Sequence, residues 1–304
     1  MSATASNLIS LYVIVVPILE STVGSITNAY IVFTLLMDYL KKRKMSTIDK
    51  ILIALSLSNI FFACACSVNL IWTFIYEDFY THCIILAFTM YAIVSSSWLT
   101  ACLCVFYFIK IKTFSSGLLV RIKMKISTII PWFLLFSEVI SLGFTFLTRL
   151  PSVLIQRPLF NTSFVYSANT TSSASGMNFS FMSIVFFSVC IPFITMIGTT
   201  MSTVRSLYLH SRRMEKNVGT SNNLVAHRSA VWMMTHLLLL YIILYGTMFV
   251  WVFNVSDQAN VWYWLCIILQ FSYTPVQSVL LILGSPKLKE SLLQTCHCLV
   301  SRNT

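Results

Sequence analysis

The sequence predicts an all-α fold: a bundle of seven membrane-spanning helices, N-terminus extracellular and C-terminus cytoplasmic. Three observations carry this. Mean hydropathy is +0.82, and only 10% of the 304 residues are charged, where soluble domains carry about 25%. Apolar runs recur that are long enough to cross a bilayer, which takes about 20 residues. The basic residues fall in short clusters between those runs. A chain so poor in charge cannot cover itself with a water-compatible surface. The net charge of +11 would suggest nucleic acid in a soluble protein, but here its distribution is that of membrane topology. The nine cysteines lie mostly within apolar runs, where a free thiol behaves as a small hydrophobe. They form neither a disulfide framework nor a CxxC metal pattern.

Span one is expected over 8–37, with Pro17 and Gly24 interrupting its apolarity. No basic region precedes it, so it reads as a first span and not as a cleavable signal. Lys41-Lys42-Arg43-Lys44 follow it, then span two over 48–75 and the acidic pair Glu77-Asp78. Span three covers 84–109 and ends in Lys110 and Lys112; a basic loop leads to span four over 126–148. Residues 149–180, rich in Ser, Thr and Asn, form an expected second extracellular loop. Span five is placed over 181–208, with Pro192 inside. After a basic loop come span six over 229–253, span seven over 261–284 with Pro275 inside, and a short tail over 285–304.

The loops after spans one, three and five, the adjoining span ends and the tail hold every Lys and Arg except Arg149 and Arg157. The positive-inside rule therefore puts the N-terminus outside, and the cationic side faces an anionic leaflet and any acidic partner. The sequons at Asn161, Asn169, Asn178 and Asn254 all fall on the outer side. Asn161 and Asn169 are the expected glycan sites, since the other two lie near the membrane.

Glu20 and Glu138 are the carboxylates well inside spans, a costly placement that asks for a partner or a role. Glu20, Gly24 and Asn28 share one face of span one. Gly24 admits a neighbouring helix, and Asn28 is expected to hydrogen-bond across to Asn59 of span two. Span three is the expected centre of the bundle: Ser95, Ser96, Ser97 and Thr100 suit helix contact, and Phe106-Tyr107-Phe108 precede its basic end.

Seven spans suggest a G protein-coupled receptor, yet the rhodopsin-type marks are missing. No acid-Arg-Tyr ends span three, no Cys-Trp-x-Pro marks span six and no Asn-Pro-x-x-Tyr marks span seven. The chain instead resembles the bitter taste receptors (taste receptor type 2). The resemblance rests on Glu20/Gly24/Asn28, on Lys42 to Asp49 with Ile51-Leu52, and most closely on Trp98 to Leu103 with Phe106 to Ile111. It continues through Pro192-Phe193, Ser206-Leu207, His210 and Met214, then Ala226-His227-Arg228, Leu239-Leu240-Tyr241, Gln277-Ser278, Leu281 to Gly284 and Lys287-Leu288. Departures accompany it. Asn59 stands where the family usually has Arg, Gln277 stands where it has His, and the sequence around Pro275 is shifted.

The resemblance implies a receptor, not an enzyme, with no cofactor and no metal, multi-pass in the plasma membrane. It implies small bitter agonists as ligands and a heterotrimeric G protein of the gustducin type as partner. The implied ligand site joins Thr89, Ile93 and Ser97 of span three to Asn69, Trp72, Tyr241, Tyr245, Met248 and Gln270. Thr89 and Ile93 occupy positions where many members carry Trp and Asn. Implied transducer contacts are Tyr107, Lys110, His210, Arg213, Met214, His227 and Lys289, and Cys296 and Cys298 are candidate palmitoylation sites. The competing readings are a type 1 vomeronasal receptor and, from another class, a seven-span transporter. The internal repeats and matched helix breaks of transporters are not evident. No Ser/His/Asp set, HExxH or paired intramembrane carboxylates points to an enzyme.

Overall fold

The computed structural model describes residues 3–75, 79–112, 117–155, 186, 188–208, 222–253 and 261–303. Every element among them is helical. In chain order they are α1 (Ala3–Lys42), α2 (Thr47–Ile75), α3 (Phe79–Ile111) and α4 (Gly117–Ile155). Then come α5 (188–208), α6 (Asn222–Phe253), α7 (Val261–Gly284) and α8 (Pro286–Asn303). Stretches of α1, α2, α3, α4, α6 and α7 are each long and apolar enough to span a bilayer. With α5 they make the seven-transmembrane bundle, and α8 follows it.

Several helices outrun the apolar runs that announce them. α4 begins at Gly117 and takes Arg121, Lys123 and Lys125 into its first turns. α6 begins at Asn222 and takes in His227 and Arg228. Hydropathy marks the membrane, whereas Lys and Arg are good helix formers, so a helix continues through them into water. Ends are set by local chemistry instead. α1 closes on Arg43, whose φ of 51° is the left-handed cap usually given to glycine, and whose N–H donates to Tyr39 O at 2.7 Å. α2 opens on a reciprocal cap: Ser46 N–H donates to Asp49 Oδ2 and Asp49 N–H donates to Ser46 Oγ, each at 3.2 Å. Gly284 ends α7 and Pro286 opens α8, the pairing of residues that best stops one helix and starts the next.

α3 is the buried axis. Of its apolar stretch 78% is buried, against 17% for α4, so α4 faces lipid with Trp132, Phe133 and Phe136 exposed. α3 packs between α2 and α4, while α1 packs on both α2 and α7, and α6 on α7.

Two glycines set how closely the helices approach α7. A Cβ on Gly24 of α1 would meet Thr274 Oγ1 at 2.4 Å and Pro275 Cδ at 3.0 Å. Beside it Thr27 and Ser278 are bonded hydroxyl to hydroxyl at 2.6 Å. A Cβ on Gly284 of α7 would meet Met233 Cβ and Cγ, both at 2.6 Å, on α6. The root of Met233 cannot swing aside, so Gly284→Ala forces α6 from α7. An overpacking cost of about 1–3 kcal/mol is expected, read as a lowered thermal midpoint of the purified receptor. Only glycine at 233 removes the clashing Cβ, so Gly284→Ala should cost clearly less in a Met233→Gly background than in the parent; an equal cost in both would show that the contact does not set the helix spacing.

Candidate functional site

Small polar residues converge where α1, α2, α3, α6 and α7 meet. Asn28 Nδ2 donates to Gly24 O at 2.8 Å, and Asn59 Nδ2 donates to Asn28 Oδ1 at 3.2 Å. Ser96 Oγ donates to Asn59 Oδ1 at 2.9 Å and lies 2.9 Å from the Tyr273 hydroxyl. Tyr273 donates to the Tyr241 hydroxyl at 2.6 Å, and Tyr241 to Thr100 Oγ1 at 3.1 Å. Thr100 also accepts from Gln277 Nε2 at 2.9 Å and donates to Ser96 O at 2.8 Å. Every one of these residues except Gly24 is at most 2% exposed. In a bilayer interior a buried polar group has no water to fall back on, so the set is held together as one unit.

Its hydrogens do not quite suffice. The hydroxyls of Ser96, Tyr273, Tyr241 and Thr100 carry four protons for five contacts: Ser96 to Asn59, Ser96 to Tyr273, Tyr273 to Tyr241, Tyr241 to Thr100 and Thr100 to Ser96 O. One contact at a time therefore lacks a proton, and which one depends on how the hydroxyls turn. Gln277 Oε1, at the edge of the network, is a buried acceptor with no hydrogen-bond partner among the described residues.

The two intramembrane carboxylates are anchored separately. Glu138 of α4 accepts from Tyr91 and, at 2.8 Å, from Ser95, both on α3; Ser95 also meets Ser58 of α2. Glu20 of α1 accepts from Ser272 of α7 at 2.7 Å. Each carboxylate thus fastens a peripheral helix to its neighbour.

The residues singled out for ligand contact are dispersed over this frame. Thr89 is buried and its hydroxyl is within reach of Ala65 O on α2 at 3.3 Å and Ile85 O at 3.0 Å. Ile93 is core, and Ser97 donates to Ile93 O at 2.8 Å. Tyr241 belongs to the central network. Tyr245 donates to Phe186 O at 2.9 Å, contacts Cys190 and stacks on Phe193 at 4.9 Å, joining α6 to α5. Met248 packs half-buried on the core. Gln270 reaches Cys66 Sγ at 3.9 Å, joining α7 to α2. Asn69 and Trp72 are half-buried on α2, and Asn69 Oδ1 is a buried acceptor without a partner among the described residues.

At the basic end a cleft of about 660 Å³ is lined by α1, α2, α3, α6, α7 and α8. Tyr107 and Lys110 are on its wall, with Lys110 Nζ 5.8 Å above the Phe106 ring. Lys287 of α8 spans two helix ends, Nζ lying 2.6 Å from Asp38 Oδ2 of α1 and 3.0 Å from Asp49 Oδ2 of α2. Lys42 joins Asp38 at 3.0 Å. Burial alone would lower the Lys287 ammonium; the two carboxylates outweigh it and hold it above its ordinary range. Lys289 is exposed on α8. His210, Arg213, Met214, Asn161 and Asn169 lie outside the described residues, as do the side chains of His227, Cys296 and Cys298.

Tyr273 and the Lys287–Asp38–Asp49 junction are not among the residues that stand out in the sequence, where Thr100 stands out only for helix packing. A signal was there: Ser96/Thr100 and Tyr273/Gln277 are polar pairs spaced i, i+4 in apolar helices, which puts each pair on one face.

Comparison with known proteins agrees with this architecture along the chain. The family model described as taste receptor protein (TAS2R) matches residues 5–300. Taste receptor type 2 member 117 of Mus musculus is 28% identical, covering 93% of this chain and 87% of the relative. Taste receptor type 2 member 39 of Homo sapiens is 28% identical, covering 92% of this chain and 84% of the relative.

Thr100→Val keeps shape and removes the acceptor for Tyr241 and Gln277. Interhelical hydrogen bonds in membranes average about 0.6 kcal/mol, so losing both is expected to cost about 1–2 kcal/mol. Thermal unfolding of the purified receptor checks this, and a midpoint equal to that of the parent would mean the hydroxyl is not a shared anchor.

Proposed function

We propose, from the premise that this chain belongs to the taste receptor type 2 family of G protein-coupled bitter taste receptors, that small, mostly apolar bitter compounds bind within the bundle on its outer side. The bundle then activates a heterotrimeric G protein of the gustducin type. The protein is a multi-pass membrane receptor, and the plasma membrane is its proposed place of work, with the N-terminus outside and glycans on Asn161 and Asn169.

The observation that carries this reading is the central hydrogen-bonded set. A ligand signals only if it binds two helix arrangements with different affinity, so a receptor needs an element able to rearrange at small cost. Four hydroxyl protons shared over five contacts supply one. A ligand that shifts α3, α6 or α7 changes which contact goes without a proton, and helices anchored to the same hydroxyls move together. Asn69, Trp72, Thr89, Ile93, Ser97, Tyr241, Tyr245, Met248 and Gln270 are the proposed ligand-facing set. Asn69 Oδ1, with no described partner, is the acceptor suited to fix a ligand's orientation, since such pockets are apolar with few polar groups. At the other end Tyr107, Lys110, His210, Arg213, Met214, His227 and Lys289 are the proposed transducer contacts, with Lys110, Arg213 and Lys289 as the cations facing an acidic partner.

The test is nucleotide exchange on a gustducin-type G protein, in membranes carrying the surface-expressed receptor, against a panel of bitter compounds. At least one compound should raise exchange in a dose-dependent way. Asn69→Leu should shift its half-maximal concentration upward by about tenfold, the worth of one buried hydrogen bond. Silence across the panel, together with compound-dependent flux in liposomes, would sink the receptor reading in favour of a transporter.

A further inference from the structure

The cleft at the basic end carries more positive charge than its own carboxylates use. Its walls hold Lys42, Lys44, Lys110 and Lys287 against Asp38 and Asp49. Both carboxylates are engaged: Asp38 by Lys42 and Lys287, Asp49 by Lys287 and by the N–H of Ser46. Lys44 and Lys110 are exposed, and neither has a carboxylate within ion-pair distance among the described residues. The lining also includes the apolar side chains of Ile48, Ile111 and Ala230. The volume, about 660 Å³, is that of a small-molecule site.

We infer that this cleft is a binding site for a phosphomonoester, held between Lys44 and Lys110. A phosphomonoester carries about −1.5 to −2 charges at neutral pH, which matches the two lysines left over once Asp38 and Asp49 are neutralised. An ammonium binds such a group as a point charge from a flexible stem, so the two lysines close on it without a preset geometry. The cleft lies on the side the positive-inside rule assigns to the cytoplasm. The phosphomonoester therefore comes either from the headgroup of an inner-leaflet phosphoinositide or from a soluble inositol phosphate. Lys287, tied to α1 and α2, keeps the cleft wall in place and is not itself the anion's ligand.

The experiment measures binding directly, with the full-length receptor in nanodiscs. One arm contains phosphatidylinositol 4-phosphate in a phosphatidylcholine background. The second has phosphatidylcholine discs titrated with soluble inositol 1,4,5-trisphosphate. Saturable binding in either arm is expected, the first identifying a lipid source and the second a soluble one. Lys44→Gln with Lys110→Gln should weaken it by about 30-fold, from the usual worth of two lysines near a charged surface. Lys41→Gln with Lys50→Gln removes two other exposed lysines that do not line the cleft and should leave affinity within about twofold. Equal loss in both double variants would reduce the effect to general surface charge and overturn the site, as would absence of binding in both arms. The readout needs no agonist and no G protein, so its failure is separable from failure of the signalling reading.

Discussion

The hydroxyl oxygen of Thr100 is where three helices are made to agree. It receives Tyr241 from α6 and Gln277 from α7 while belonging to α3, and through Ser96 the same helix reaches Asn59 and then Asn28. In water such a set would be one arrangement among many, because solvent could replace any member. In the bilayer each member has only the others. The bundle is therefore tied at its centre by polar contacts and separated from lipid by the apolar faces of α1, α4 and α5. The glycines at 24 and 284 let α7 come near enough for those contacts to form.

Much of this was legible in the sequence and some was not, for physical reasons. The seven spans and the sidedness of the charge are summed properties of many residues, so single deviations do not obscure them. α7 runs over Val261–Gly284, and Gly284 with Pro286 after it mark its end in the sequence. α4 and α6 extend past their apolar cores because helix propensity continues where hydropathy stops. The tail carries too little apolar signal to announce a helix, yet α8 forms there, docked through Lys287, Leu288 and Leu292.

Pairings between distant residues were harder to foresee. Asn28 and Asn59 could be matched in advance, since both are amides at corresponding depth in adjacent spans. Tyr273 could not, because a tyrosine in a span is as well suited to an interface as to a core. The Lys287 junction is hidden for another reason: its partners lie 249 and 238 positions away in the chain, and in the sequence its lysine is one more topology charge. Charge totals place a membrane; they do not say which cations are already spoken for.

That junction changes what the last stretch of the chain is. Lys287 stands three residues after Gly284, where α7 ends, and grips the ends of α1 and α2 from there. The C-terminal segment is thus a structural brace, joined to the first two helices of the chain, and not an appendage. A receptor cut back to the end of α7 loses a fastening between its first and last helices, while a label fused beyond Thr304 leaves that fastening untouched.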